Sequence, residues 1–222
     1  MGSRNDQEGD EMNDRAWLAP LTGVAFVVLV MASFAISGEP PSASDPVDEI
    51  VEHYVDNGDA VMFGAIMIGF AGAFLVFFAA ILRRALRAAE PEGSVLSTVT
   101  LVGATILAVG AAIDGTISFA LAEAAEDVDP TAVQALQALW DNDFLPLAVG
   151  TVLMLFSAGL SIVLHGSLPK ALGWIAILIA VVGLTPLGFF AFLASALWIV
   201  VVSVMLAMRA RRPGVPAPAE AA

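Results

Sequence analysis

Long apolar runs separated by short polar segments dominate the sequence. The chain has 222 residues, of which 59% are hydrophobic, and its mean hydropathy is +0.86. A water-soluble protein of this size would expose much of that apolar surface, so the composition is typical of an integral membrane protein. A helix of about 20 apolar residues crosses the hydrocarbon core of a bilayer. The runs therefore predict an all-α, polytopic membrane protein.

Six of these runs are predicted to be transmembrane helices, and together they form one domain over residues 17–208. The predicted spans are residues 17–37, 60–82, 95–122, 144–164, 171–184 and 188–208. The last two are divided at Thr185-Pro186, because one helix over both would be nearly twice as long as the bilayer is thick. A single broken helix is the alternative. The acidic N-terminal segment 1–16 and the C-terminal segment 209–222 are predicted to be disordered tails.

Two polar loops are each predicted to contain a short amphipathic helix. In the loop 38–59, apolar residues recur at helical spacing from Val47 to Val55, and Asn57-Gly58 is predicted to end the helix. In the loop 123–143, Asp129-Pro130 opens a similar helix. We expect both helices to lie on the membrane surface or on the bundle.

The distribution of charge predicts the orientation. With six spans, all nine lysine and arginine residues fall on one side of the membrane. The loops on the other side, 38–59 and 123–143, hold thirteen acidic residues and no lysine or arginine. Because positively charged loops stay in the cytoplasm, we predict a plasma-membrane protein with both termini cytoplasmic.

Asp114 is the only acidic residue inside a predicted span. A charge at that depth is costly, so Asp114 is the first candidate for a functional site. It shares a helix face with Gly103, Gly110 and Ser118, and these small residues indicate an interior position. We expect a neutral, hydrogen-bonded carboxyl that holds helices together. A proton- or cation-binding role, or a position in a water-filled vestibule, are the alternatives.

A polar stripe on the fourth span consists of Ser157, Ser161 and His165, each four residues apart. With Asp114 it could form a proton relay across much of the membrane. The alternative is that each serine bonds to its own i−4 carbonyl or to a neighbouring helix. The hydroxyls predicted as partners of the Asp114 carboxyl are those of Thr116, Ser118, Ser157, Ser161 and Ser195.

Small residues on the second and third spans predict close helix packing. Ala65, Gly69 and Ala73 are spaced by four, and Gly103 and Gly110 lie on the third span. The first stripe could serve a contact within the chain or between chains. The predicted partners are therefore the lipid bilayer and either a second copy of the chain or another membrane protein.

The sequence favours no enzymatic chemistry. It contains no cysteine, and it lacks nucleotide-binding, hydrolase and zinc-protease motifs. The two histidines, His53 and His165, fall on opposite membrane faces and cannot bind one metal or one haem. The basic clusters at 83–87 and 209–212 are better explained by topology and anionic lipids than by nucleic acid. We expect no cofactor, no metal and no nucleic-acid partner.

Four stretches cover much of the predicted membrane domain with a familiar pattern: DPVDEIVEHYVDNGD, LRRALRAAEPEGSVLSTVTLVG, SLPKALGWIAILIAVVGL and SALWIVVVSVML. In these the chain resembles a family of uncharacterised bacterial six-helix integral membrane proteins, a domain of unknown function. The resemblance implies a membrane protein without an assigned activity, and it carries over no catalytic residues.

Two functional hypotheses follow from the sequence. The first is a structural, sensory or assembly-type membrane protein that works through helix packing and partners. The second is a small proton- or cation-coupled transporter or channel that uses Asp114 and the acidic loops. The small number of polar groups within the spans favours the first hypothesis.

Overall fold

The computed structural model of the protein describes residues 16–211, which form helices joined by short loops and include no strand. A 3-10 turn, Ala16–Leu21, leads into the first helix. The helices are α1 (Thr22–Ser37), α2 (Val47–Arg87), α3 (Leu96–Ala124), α4 (Pro130–Trp140), α5 (Phe144–His165), α6 (Lys170–Val182) and α7 (Gly188–Ala210). The predicted all-α fold is confirmed.

Six of the helices form a closed ring in which chain neighbours are also neighbours in space. α1 packs on α2, α2 on α3, α3 on α5, α5 on α6 and α6 on α7, and α7 returns to α1. The short α4 lies against α2 and α3. Five helical segments are long and apolar enough to cross a membrane, and α6 is a shorter apolar helix of 13 residues. The chain is therefore a multi-pass membrane protein.

The core of the ring is apolar and tightly packed. Its largest fully buried side chains include Leu75, Phe78, Leu82, Leu155, Ile162 and Ile199. Between α5 and α6 the two backbones themselves meet: a Cβ added to Gly159 would lie 2.6 Å from the carbonyl oxygen of Gly173. Small residues thus let adjacent helices approach closely, as van der Waals packing in a membrane requires.

The first amphipathic segment and the second span form one continuous helix, α2, of 41 residues. The predicted stop at Asn57-Gly58 is wrong. The Asn57 side chain stays in the helix and donates a hydrogen bond of 2.9 Å to the carbonyl of His53. One turn on either side, Tyr54 and Val61 are buried in a second apolar cluster with Leu121. Packing against α3 therefore outweighs the weak local stop signal.

The second amphipathic segment forms a separate helix, α4, which begins as predicted. Pro130 occupies its first position, and the Asp129 carboxylate accepts a hydrogen bond of 2.8 Å from the backbone N–H of Thr131. This is the usual arrangement of an acidic N-cap followed by proline. Hydrogen bonds from the Thr131 hydroxyl and backbone N–H lower the pKa of the exposed Asp129.

The stretch from 171 to 208 forms two helices, as predicted, and not one broken helix. The intervening turn satisfies its own backbone: Thr185 N donates to the carbonyl of Val182, and Gly188 N donates to the carbonyl of Thr185, each at 3.0 Å. The Thr185 hydroxyl also donates to Val182 O at 2.7 Å. α6 is only about 20 Å long at the helical rise of 1.5 Å per residue.

The two ends of the bundle differ in charge. We call the end with the α2–α3 and α5–α6 loops the basic end, since every described lysine and arginine lies there. Arg209 Nη1 donates a hydrogen bond of 2.7 Å to Ser167 O, and the Arg211 guanidinium lies 3.4 Å from the centre of the Trp17 ring. The opposite, acidic end holds α4. Of the two predicted tails, 1–15 and 212–222 lie outside the described residues, whereas α7 continues to Ala210.

Candidate functional site

Asp114 lies on α3 in the half of the bundle nearer the acidic end, and its side chain is partly buried. The residue lines two cavities, one of about 50 Å³ and one of about 530 Å³. The neighbouring Gly115 allows this close packing, since a Cβ there would lie 2.8 Å from the carbonyl oxygen of Ala65 on α2. Asp114 therefore stands at the junction of α2 and α3, with a cavity on either side.

The hydroxyls predicted to bond the Asp114 carboxyl all donate elsewhere. Ser118 Oγ donates to the backbone carbonyl of Asp114 at 3.0 Å, and not to the carboxylate. Thr116 donates to Ala112 O, and Ser195 donates to Phe192 O. The prediction of a carboxyl hydrogen-bonded to these hydroxyls is wrong. Hydroxyls on membrane helices often donate to a backbone carbonyl of their own helix. Sequence spacing alone does not distinguish such a bond from one to a neighbouring side chain.

The stripe of serines on α5 is turned toward the basic end and does not reach Asp114. Ser157 Oγ lies 3.0 Å from the hydroxyl of Thr100 and also bonds to the carbonyl of Leu153. Ser161 Oγ donates to the carboxylate of Glu90 at 2.6 Å. The predicted relay from Asp114 through these serines to His165 is therefore wrong, and the serines join α5 to α3 and to the α2–α3 loop.

Glu90 is a structural residue that no sequence pattern singled out. Its Oε1 accepts hydrogen bonds from Ser97 N at 2.9 Å and Ser161 Oγ at 2.6 Å, and its Oε2 accepts one from Ser97 Oγ at 2.8 Å. Burial opposes ionisation, but the hydrogen bonds from Ser161 and Ser97 outweigh it and lower the pKa of Glu90. A carboxylate shortly before a helix start was the available signal, since the helix dipole favours negative charge there.

The end of α4 covers Asp114 from the acidic end. The indole Nε1 of Trp140 is buried without a hydrogen-bond partner, although it lies close to the Asp114 carboxyl. Asp143, at the start of α5, is near enough to act on Asp114 electrostatically, and its own Oδ2 is buried and unpaired. Three polar groups thus meet at this point with incomplete hydrogen bonding.

A hydrogen-bond network around two buried side chains, those of Tyr54 and Gln137, holds α4 in this position. Tyr54 Oη donates to Gln137 Oε1 at 2.6 Å, and Gln137 Nε2 donates to Pro41 O at 2.8 Å and to Asp141 Oδ1 at 2.9 Å. Asp141 Oδ2 in turn accepts from the backbone N–H of Ala43 at 2.9 Å. Because every member is paired, the network fixes Trp140 and the neighbouring acids relative to α2.

The smaller cavity lies between α1, α2 and α3. The polar residues that line it include Ser33, Ser37, His53, Asp114 and Ser118. Its volume of about 50 Å³ exceeds the roughly 10–15 Å³ that one water needs. The His53 Nε2 atom, buried without a protein partner, offers a hydrogen bond to such a water.

The larger cavity lies between α1, α3, α5 and α7, with Trp140, Asp141 and Asp143 near Asp114. Its walls are mostly apolar and aromatic. They are formed by Phe26, Val30, Phe34, Ile68, Leu107, Ala111, Phe144, Leu147, Ala148, Val152, Phe189, Ala191 and Phe192. The volume of about 530 Å³ is within the range of small-molecule sites, about 300–1,000 Å³.

One hydroxyl on the wall of the larger cavity has no partner. Thr151 on α5 is only 5% exposed, and its Oγ1 makes no hydrogen bond. By contrast, Thr100, Thr105 and Thr116 on α3 each donate to the carbonyl four residues earlier. A buried polar group left unpaired costs free energy, and Thr151 is one of the residues that line this cavity.

The predicted packing residues divide into two sets. Gly103 and Gly110 face α5 closely: a Cβ on Gly103 would lie 2.9 Å from the backbone carbon of Leu153, and one on Gly110 would lie 3.0 Å from Pro146. On α2, Ala65 is buried against α3, but Gly69 and Ala73 are exposed, and nothing lies within 4 Å of a Cβ added to Gly69. The prediction of a contact within the chain along the whole stripe of Ala65, Gly69 and Ala73 is therefore wrong.

No protein-family model, curated protein or solved structure matches this chain. The resemblance to an uncharacterised six-helix family stays a prediction. Among residues 16–211, no group of three or more metal-ligating side chains could hold a metal ion. Fold and cavity together define the class: a multi-pass α-helical membrane protein with an apolar cavity beside a carboxyl group.

Proposed function

We propose that this protein is a sensory or assembly-type plasma-membrane protein that binds a small ligand in the larger cavity. In this proposal it performs no catalysis, and both termini face the cytoplasm, so that the cavity belongs to the outer half of the membrane. The single observation that carries the proposal is the cavity itself, which has the volume of a ligand site and lies beside Asp114.

The packing toward the basic end supports a binding site over a conduit. The cavity reaches only to about the level of Phe26, Leu107 and Thr151. Beyond it, fully buried side chains such as Leu155 and Ile162 fill the ring. Since the α5 serines bond to α3 and to Glu90, they do not form a polar path from Asp114 toward the basic end.

A small proton- or cation-coupled transporter is the second candidate. The observation in its favour is that Asp114 lines both cavities, and that the smaller one is also lined by Ser33, Ser37 and His53 and is large enough for water. Transport would require the packed half of the ring to open in a second conformation. The Asp114 carboxyl would then be exposed alternately to the two sides of the membrane.

Reconstituted liposomes separate the two candidates. Wild type and Asp114→Asn are placed in liposomes with an internal pH dye, and flux is driven by proton and alkali-cation gradients. The binding proposal predicts no flux above empty liposomes for either protein. Flux that Asp114→Asn abolishes, with an unchanged melting temperature, would overturn the binding proposal in favour of transport.

A further inference from the structure

The polar end of the larger cavity favours ligands of one charge sign. Asp114, Asp141 and Asp143 all line it, and none of its described lining residues is a lysine or arginine. An anionic head group placed here would meet only like charge, and an uncharged apolar molecule would leave the carboxyl groups of Asp114 and Asp143 without partners. The cavity therefore favours a ligand with a positively charged head.

Three residues that line the cavity hold an unpaired buried polar atom. Those of Asp143 and Thr151 can accept hydrogen bonds from N–H donors on the head, whereas Trp140 Nε1 is itself a donor and lies close to the Asp114 carboxyl. Asp143 Oδ2 is a buried acceptor without a donor, and the Thr151 hydroxyl is buried without any partner. Asp141 is different, because both of its carboxylate oxygens already accept hydrogen bonds from the protein. Asp114 and Asp143 are thus the carboxyl groups left to receive a ligand, with the Thr151 hydroxyl on the α5 wall.

The rest of the cavity requires an apolar body. Phe26 and Val30 on α1 are each 4% exposed, and Leu107 on α3 is 2% exposed, so this wall is apolar and firmly packed. A small inorganic cation would leave this apolar volume unfilled. Trp140 beside the carboxyl groups adds an aromatic face, which attracts organic cations.

We infer that the larger cavity is a binding site for a lipophilic ammonium ion, whose N–H groups bond to Asp114, Asp143 and Thr151 and whose apolar body fills the space between α1 and α7. This inference rests on the proposed ligand-binding function and names its ligand class. The proposal needs no change in covalent bonds and no second conformation of the ring.

The test is equilibrium dialysis of radiolabelled probes against the full chain in nanodiscs, with empty nanodiscs as the partition blank. The probes are n-decylammonium, n-decanol and n-decyl sulfate, which share one alkyl chain and differ in the head group. We expect saturable binding of n-decylammonium alone. Asp114→Asn should weaken it by about tenfold or more, because a charge-assisted hydrogen bond is lost.

Three further variants check where and how the probe binds. Thr151→Val keeps the side-chain volume and should weaken n-decylammonium binding severalfold, whereas Thr105→Val should leave it unchanged, since Thr105 is exposed and bonded to its own helix. Ala148→Phe should abolish binding by filling the cavity. If Ala148→Phe does not fold, as judged by size-exclusion chromatography, the Asp114 and Thr151 variants decide alone.

Each other outcome overturns a defined part of the inference. Equal saturable binding of n-decanol, insensitive to Asp114→Asn, would overturn the ammonium class while leaving a ligand cavity in place. Preferential binding of n-decyl sulfate would do the same. If none of the three probes binds saturably to folded wild type, both the ammonium inference and the proposed binding function fail.

Discussion

At the scale of single residues, the sequence identified the costly group but not its surroundings. Asp114 was recognisable because it is the one acid within the apolar runs. Its environment was not, since Trp140 and Asp143 reach it only through the tertiary position of α4. For the same reason the even spacing of Ser157 and Ser161 suggested a relay, although their partners are Thr100 and Glu90.

Glu90 provides a test at this scale. Glu90→Gln should lower the free energy of unfolding by about 1–2 kcal/mol at neutral pH, because it removes the charge from three hydrogen bonds. Since folding lowers the pKa of Glu90, its stabilisation is complete above the unfolded pKa and is lost as the pH falls through the folded value. The stability gap between wild type and Glu90→Gln should therefore narrow on acidification.

Thermal unfolding in detergent between pH 7 and pH 3 measures this gap. Glu92→Gln is the matched control, because Glu92 is exposed in the same loop. A gap that stays constant over this range, or an equal loss for Glu92→Gln, would contradict the role of the Glu90 carboxylate.

At the scale of helices, the sequence predicted where the apolar helices lie. It did not predict which segments join into one helix or which helix faces are in contact. Each apolar run predicted as a span corresponds to a helix among the described residues, because hydrocarbon imposes a minimum length and internal backbone bonding. The join within α2 was missed, since Asn57-Gly58 resembles a stop unless the burial of Tyr54 and Val61 is known. Small residues predicted close packing, but only the fold distinguishes Ala65 from the outward-facing Gly69.

A matched pair of glycine substitutions tests the helix contacts. Gly159→Ala should destabilise the protein by about 1–3 kcal/mol, because its Cβ would lie 2.6 Å from the Gly173 carbonyl and force α5 and α6 apart. Gly69→Ala should keep or raise stability by up to about 1 kcal/mol, because it meets open space and favours the helix. Melting temperatures of the two variants in one detergent give the comparison.

The opposite order of stability for the two glycine variants would show that α5 and α6 do not pack as described. A loss of oligomers for Gly69→Ala on cross-linking, with normal melting, would instead assign the outward stripe to contacts between chains.

At the scale of the whole molecule, the six apolar helices and the separation of charge between the two ends were predictable, but their arrangement in a ring was not. Counting charges needs only the order of the spans. Side-chain packing decides which helices become neighbours and leaves a cavity between α1 and α7. No pattern in the sequence indicates this packing. The proposed ligand site is therefore a property of the assembled ring.

The absence of cysteine makes the proposed orientation directly measurable. Ser44→Cys at the acidic end should react with a membrane-impermeant maleimide in intact cells, because its loop faces outward in the proposed topology. Ala89→Cys at the basic end should react only after the cells are opened. Both positions are exposed, so accessibility within the protein is matched. The reverse labelling pattern would invert the topology.

The short α6 has a consequence for the surrounding lipid. At about 20 Å it is roughly 10 Å shorter than the hydrocarbon core that it would cross as the fifth predicted span. The turn beyond it presents Leu184 and Leu187, which are 74% and 57% exposed, so lipid chains must compress locally to meet this side of the ring. Such hydrophobic mismatch costs roughly a fraction of a kcal/mol for each Å of difference in length. We expect a higher melting temperature in nanodiscs of 14-carbon lipids than of 20-carbon lipids, and a preference for thin regions of membrane.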